Sequence, residues 1–327
     1  MAALIVRRQQ PAGLRICTAP CLLLLLLLAQ LSPVSADSTP SILVLLDTGK
    51  AHHGVVLDHF RKLVVQGHEG SMRPRIESLN SPEFDHTTVD SLQPDLIVTI
   101  GVAAAARLRG QVGSAAEMNM FLPRAAYQQL HKGNSGAPAA IFLDQPIERQ
   151  LALARVLQPN AKRAGMLRAA TTEQSSADLK GTALRFGFEL YFAPITGDGD
   201  AAEAIDQVLA SSDLIIATFD REAYKPATMK WLLYLAFQQQ RPIIGFSQAL
   251  LRAGAVATVY STTEQIAAHA AELVRDWLNT GKMPSGSHYP RYYDIGLNAP
   301  VAKMLNVTPV DEAELFTKMR DALGDPK

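Results

Sequence analysis

From residue 41 onward, short apolar runs alternate with stretches of helical spacing, and this alternation restricts the chain to few architectures. The runs are Ser41–Asp47 (SILVLLD), Asp95–Ile100 (DLIVTI), Arg163–Leu167, Phe188–Pro194, Asp213–Phe219 (DLIIATF) and Arg241–Phe246 (RPIIGF). Ser41–Asp47 shows no polar alternation, as expected of a buried strand, and the others read as strands of the same array. Between them, Val56, Phe60, Leu63 and Val64 recur at helical spacing within 55–65. Amphipathic segments follow at 147–157, 175–186, 201–210, 226–238 and 263–278. Strand and helix in strict succession predict βα units with parallel sheets, an α/β fold. Ala255–Tyr260 and Tyr292–Leu297 are two further short runs.

DLIVTIG and DLIIATFD are alike in type: an aspartate, a buried strand, then a glycine or polar turn into a helix. Each sits in its own βα array, which predicts two similar lobes rather than one sheet. The weak zone between the arrays is 130–139, rich in Gly, Ser, Asn and Pro. No low-complexity linker separates them.

The N-terminus reads as a cleavable export signal. Arg7, Arg8 and Arg15 precede the leucine run Leu22–Leu28, Pro33 breaks it, and Val34-Ser35-Ala36 offers small residues, so cleavage is expected after Ala36. The apolar run falls short of the ~20 residues that span a bilayer. Cys21 lies before the run, whereas a lipidated cysteine would follow it. Cys17 and Cys21 are the two cysteines of the chain, so the exported part carries no thiol. This leaves no cysteine nucleophile, disulfide framework or cysteine-bound metal in it. Three of the 31 basic residues also fall in residues 1–36, leaving 28 against 31 acidic ones, a net charge of −3. No basic stripe points to nucleic acid.

In open α/β sheets, ligands bind beyond the carboxyl ends of the strands. Those positions are Asp47-Thr48-Gly49-Lys50, Gly101-Val102-Ala103-Ala104, Arg168-Ala169-Ala170-Thr171, Phe219-Asp220-Arg221 and Ser247. Free amides opening the helix at Gly101 could hold a carboxylate; a tight turn without a ligand explains the same residues. Asp220 could receive an ammonium or hydroxyl, or simply cap a helix. Asp47–Lys50 lacks the pattern of a phosphate loop, and Gly245–Ala249 lacks the second glycine of a nucleophile elbow. His52, His53, His59 and His68 cluster without a ligand spacing, so no metal is expected.

The order of segments resembles the ABC transporter substrate-binding family that includes aromatic-amino-acid-binding members. Gln150–Arg168 (QLALARVLQPNAKRAGMLR) resembles its helix, proline, basic pair and strand. DLIVTIGVAAAA resembles its first-lobe strand and small-residue turn, and DLIIATFD its second-lobe strand ending in aspartate. RPIIGFSQALLRAGAVATVYS resembles its return to the first lobe, and Ile295–Pro309 (IGLNAPVAKMLNVTP) its closing strand, asparagine and helix. The family's valine-threonine-Asp-Pro passage has no counterpart in Met118–Lys132, so an aromatic amino acid does not carry over as the ligand.

The resemblance implies a type I periplasmic binding protein: two Rossmann-like lobes with parallel sheets, joined by three crossovers near Phe142, Ser247 and Tyr289. The first lobe would be 40–142 plus 248–288, and the second 143–247 plus 289–327. The expected function is capture of a small molecule, an amino acid or other small anion, for an inner-membrane ABC permease. The expected site comprises Thr48, Gly49, Gly101, Val102, Ala103, Arg124, Arg168, Asp220 and Ser247. The backbone of 101–103 would donate to the solute, Asp220 would receive a cation or hydroxyl, and Arg124 and Arg168 would lean toward an anion. No cofactor and no catalytic group is expected, and the protein would be a periplasmic monomer or weak dimer. A ligand sensor for a membrane receptor or kinase shares this reading, and an exported α/β enzyme is the remaining alternative.

Overall fold

The computed structural model describes residues 39–47, 49, 51–66, 73–134, 136–170, 175–307 and 311–324; the segment expected to be an export signal, Thr48 and His68 lie outside them. In chain order the first array runs β1 (Ser41–Leu46), α1 (Ala51–Gln66), β2 (Arg75–Asn80), α2 (His86–Leu92), β3 (Leu96–Ile100), α3 (Val102–Leu108), β4 (Ala116–Leu122), α4 (Arg124–Leu130) and β5 (Ala139–Phe142). The second runs α5 (Ile147–Leu157), β6 (Arg163–Ala169), α6 (Ser176–Arg185), β7 (Glu189–Ile195), α7 (Ala201–Ser211), β8 (Leu214–Ile216), α8 (Pro226–Gln238), β9 (Ile243–Gly245), α9 (Gln248–Ala253) and β10 (Ala257–Tyr260). Then come α10 (Thr263–Thr280), β11 (Ser287–His288), β12 (Asp294–Leu297), α11 (Ala299–Met304) and α12 (Glu312–Leu323).

The strands form two six-stranded sheets, ordered β11-β5-β4-β3-β1-β2 and β12-β10-β9-β8-β6-β7. Every pairing is parallel except β10 with β12. Both sheets are covered on two faces, which is why inner strands such as β1, β3 and β8 read as unbroken apolar runs, while the edge strands β2 and β7 keep exposed positions. In the first lobe, α1 and α10 pack Phe60, Val64, Ala270 and Trp277 on one face, and Phe84 and Leu108 cover the other. In the second, Leu151, Leu315 and Met319 cover one face and Val208, Met229 and Leu232 the other.

The chain passes between the lobes after β5, after β10 and after β11. The second passage falls at Ser261–Thr262, later than the Ser247 expected from the sequence, because β10 pairs with β9 and stays in the second sheet. Residues 248–260 therefore belong with the second lobe, not the first. Thr262 then opens α10 with a reciprocal capping box: its side chain accepts from the Gln265 N–H while the Gln265 side chain accepts from the Thr262 N–H. Among the described residues, no helix is long and apolar enough to cross a membrane.

Candidate functional site

In the first lobe, the carboxyl ends of β1 and β3 are locked to each other. The Asp47 N–H donates to the Ile100 carbonyl at 3.2 Å. The buried Asp47 carboxylate reaches across and accepts the Ala104 N–H at 2.5 Å, in the first turn of α3. The charge thus sits at the positive end of the helix. Gly101, with φ of 98°, makes room for this: a β-carbon there would lie 2.6 Å from Asp47 Oδ2 and 2.7 Å from His53 Cε1. The Gly101–Ala103 turn was expected to offer its amides to a solute; the carboxylate found against the adjoining Ala104 amide is the chain's own. An open hollow of about 350 Å³ lies beside it, lined by Asp47, Gly49, Ala51, His53 and Asn80 among others.

Next to that hollow three rings meet. His52 and His53 stand edge to face at 4.6 Å, and Phe121 lies 5.5 Å from each. Phe121 holds a φ of 63° where the β4–β5 register shifts between Met120 and Leu122. A non-glycine residue in that region costs of order 1–3 kcal/mol, and such strain gathers at sites that bind. His59 is drawn away to Glu264, 3.3 Å distant. Among the described residues, no group of three or more His, Cys, Asp or Glu side chains is arranged to hold a metal.

Arg124 opens α4 and is tied to two crossing segments. Its N–H donates to Asp144 Oδ2 at 2.6 Å, and its guanidinium donates to the Tyr289 hydroxyl at 2.9 Å. The other carboxyl oxygen of Asp144 is buried with no hydrogen-bond partner. Burial pushes the Asp144 carboxyl up to about 7, against the lowering effect of the Arg124 amide and charge. Burial likewise raises the Tyr289 phenol.

In the second lobe, Asp220 works on its own loop. One carboxyl oxygen accepts the N–H groups of Glu222 and Ala223 at 3.1 and 3.0 Å, and the other accepts that of Ala169 at 3.1 Å. It thereby fixes the end of β6 to the turn after β8. Arg168 lies over the Phe192 ring at 5.3 Å and donates to the Ser176 hydroxyl. Ser247 caps α9, accepting the Leu250 N–H at 3.3 Å. The rings of Phe219 and Phe246, just past β8 and β9, meet edge to face at 5.3 Å and stay half-exposed. Asp220, Arg168 and the Phe219–Phe246 pair therefore share one row of strand ends, and Asp47, Gly49, Gly101, His53 and Phe121 another. Arg124 stands with the crossing segments instead.

Those segments are bound to one another. The Gln145 amide donates to the Ser261 hydroxyl at 2.8 Å, and Ser261 donates to the Tyr292 carbonyl at 2.6 Å. The Arg149 guanidinium donates to Gln145 Oε1 at 2.7 Å and to the Pro290 carbonyl at 2.8 Å, and stacks 3.8 Å from the Tyr293 ring centre. One side-chain network thus touches all three passages.

Phe121, Asp144 and Phe246 were not singled out in the sequence, while His52 and His53 stood out only as a histidine cluster without ligand spacing and Phe219 only as a position past a strand end. Phe246 was legible only as the end of an apolar run, Phe121 lay in a stretch without a readable pattern, and Asp144 was one more polar residue in a loop.

Comparison with known proteins places this arrangement. A model of the ABC transporter substrate binding protein family matches residues 143–313, just over half of the chain. No curated protein sequence matches. Among solved structures, the ligand-free, open form of CD0873, a substrate binding protein with adhesive properties from Clostridium difficile, is similar at 17% identity and a TM-score of 0.65, covering 84% of this chain and 97% of that one. An ABC domain in complex with L-Trp from Streptococcus pneumonia is similar at 17% identity and a TM-score of 0.56, covering 86% and 98%. A periplasmic ribose ABC transporter protein from Conexibacter woesei is similar at 11% identity and 0.52, covering 86% and 98%. The two mostly parallel sheets joined by three passages are the type I periplasmic-binding fold. By its sequence match the chain belongs to the ABC transporter substrate-binding protein family.

Proposed function

We propose that the chain captures a small solute with a flat, apolar part between the two rows of strand ends, and hands it to an inner-membrane ABC permease. The observation that carries this is the pairing of aromatic groups: His52, His53 and Phe121 on the first row, Phe219 and Phe246 on the second. Rings on both walls favour a planar group between them, since each face offers area and a quadrupole at little entropic cost. The structural neighbour holding L-Trp supports the same class of solute. The polar end of the solute would meet Gly49 and Asn80 on one side and Ser247 on the other. Asp47, Gly101 and Asp220 shape the walls rather than contact the solute, and Arg168 stands at the second wall. The leucine-rich N-terminus supports export to the periplasm, with cleavage after Ala36.

Calorimetric titration of the chain from Asp37 onward, against aromatic and aliphatic amino acids and simple organic acids, tests this. One-to-one binding of a ring-bearing compound is expected, weakened about tenfold by Phe219→Ala or His52→Ala. Preference for an aliphatic or purely polar compound, unmoved by either substitution, would overturn the assignment of solute class.

A further inference from the structure

Helix α8 carries an aromatic stripe on the face turned away from its core. Met229, Leu232 and Ala236 point inward and are buried. Trp231, Tyr234 and Phe237 point outward and remain 60%, 54% and 39% exposed. The Trp231 and Tyr234 rings meet edge to face at 6.0 Å, and the Tyr234 hydroxyl accepts the Gln238 amide N–H at 2.7 Å. Outer faces of such helices are normally charged. Here Ala227, Lys230 and Gln238 complete the face, so Lys230 is its one charge. A contiguous apolar patch of this kind marks a contact surface.

We propose that this stripe is a self-association surface, on which a second copy of the chain lays its own α8 antiparallel about a two-fold axis at Tyr234. An isologous contact needs a face that complements itself, each flank lying against the same flank of the other copy. Trp231 and Phe237 lie three residues either side of Tyr234, and Lys230 and Gln238 four either side. At about 100° per residue Trp231 and Gln238 share one flank of the face and Lys230 and Phe237 the other, so in that register each Trp231 meets a Gln238, each Lys230 meets a Phe237 ring, and Tyr234 meets its own copy. No like charges are opposed. Because Tyr234 takes an amide N–H of Gln238, the amide oxygen of Gln238 is left to accept the indole N–H of Trp231, while the Lys230 ammonium lies over the Phe237 ring. A lipid surface would instead call for a basic face, and a single lysine does not provide one. Aromatic side chains cover about 150–250 Å² each, so three partly exposed rings supply a few hundred Å² per copy. That is below the ~800 Å² per partner of a standard stable interface. The dimer is therefore weak and reversible.

Sedimentation velocity of the chain from Asp37 onward, which contains both sheets and all their cores, tests the proposal. The average mass should rise from one chain toward two, half-way at a concentration on the order of 100 µM. Trp231 also reports directly: of the two tryptophans, Trp277 is already buried, so emission should shift to the blue with concentration. Trp231→Glu and Tyr234→Glu should each weaken association at least tenfold while melting temperature and solute affinity stay the same. Trp231→Phe should keep the dimer and lose the blue shift. A single chain throughout the range, a dimer indifferent to both glutamate variants, or binding of the stripe to phosphatidylglycerol vesicles without a dimer would each overturn it. None of these results bears on solute capture, which is read separately by titration.

Discussion

At the scale of single residues, the first lobe depends on the packing of Asp47, His53 and Gly101. Any side chain at Gly101 meets both a left-handed backbone and two neighbours closer than 3 Å. Gly101→Ala should therefore lower stability by roughly 2–4 kcal/mol, seen as a fall in the urea midpoint with an unchanged slope. An unchanged midpoint would mean the turn is not packed as described. Asp47→Ala should cost roughly 2 kcal/mol, as it removes a charged acceptor from a buried amide. The sequence marks both Gly101 and Asp220 as special, but not for whom their partners are meant. The carboxylate that serves Ala104 lies 57 residues away in the chain, and spacing alone does not reveal such a bond. It gave the amides to a solute, where the fold gives the nearest one to Asp47.

At the scale of elements, one buried group on a crossing segment, Asp144, and one on α10, His269, respond to pH in opposite senses. Asp144 has a folded value of about 7, above its ordinary 3.8, so the folded state holds its proton more tightly. Its contribution to stability is complete below pH 3.8 and is lost as the pH rises through about 7. His269 accepts the Arg291 N–H at 3.2 Å. Burial, with help from Arg291, lowers it from 6.5 to about 4, against the pull of Glu272. Its contribution is present above pH 6.5 and is lost as the pH falls through about 4. Melting temperature measured from pH 4 to 8 should therefore lose its decline toward neutrality in Asp144→Asn, and its decline toward acid in His269→Gln. Curves unchanged by both substitutions would contradict the buried placement of these groups. The βα succession itself was legible, because strands covered on both faces leave apolar runs. β2 and β4 did not stand out. β2 is an edge strand with exposed Arg75 and Asn80. β4 buries Asn119 beside Glu117, with the Asn119 amide donating to Glu117 at 3.0 Å and its carbonyl accepting from Thr99 at 2.6 Å. Polar residues satisfied by one another break the apolar pattern without breaking the strand.

For the whole molecule, the two-lobe α/β plan was readable from two strand-turn-helix passages of like type, while the second passage between lobes was misplaced from Ser247 to Ser261. β9, α9 and β10 read as one more βα unit, and nothing in their residues states which sheet β10 joins; the antiparallel β12 beside it decides that. A family of this kind acts by closing its lobes on a solute, with the passages as the pivot. The Gln145–Arg149–Ser261 network would then set how freely the lobes move, and Arg149→Ala should alter solute affinity severalfold by titration without touching either wall. The central claim is capture of a small, ring-bearing solute between the strand-end rows, and a melting-temperature series tests it most directly. Ring-bearing amino acids and acids, added to the chain from Asp37 onward at a hundred times their dissociation constant, should stabilise the fold by about 2.7 kcal/mol. The shift should shrink in Phe219→Ala at the same solute concentration. A melting temperature that no compound of this class moves, at any concentration up to millimolar, would contradict the account.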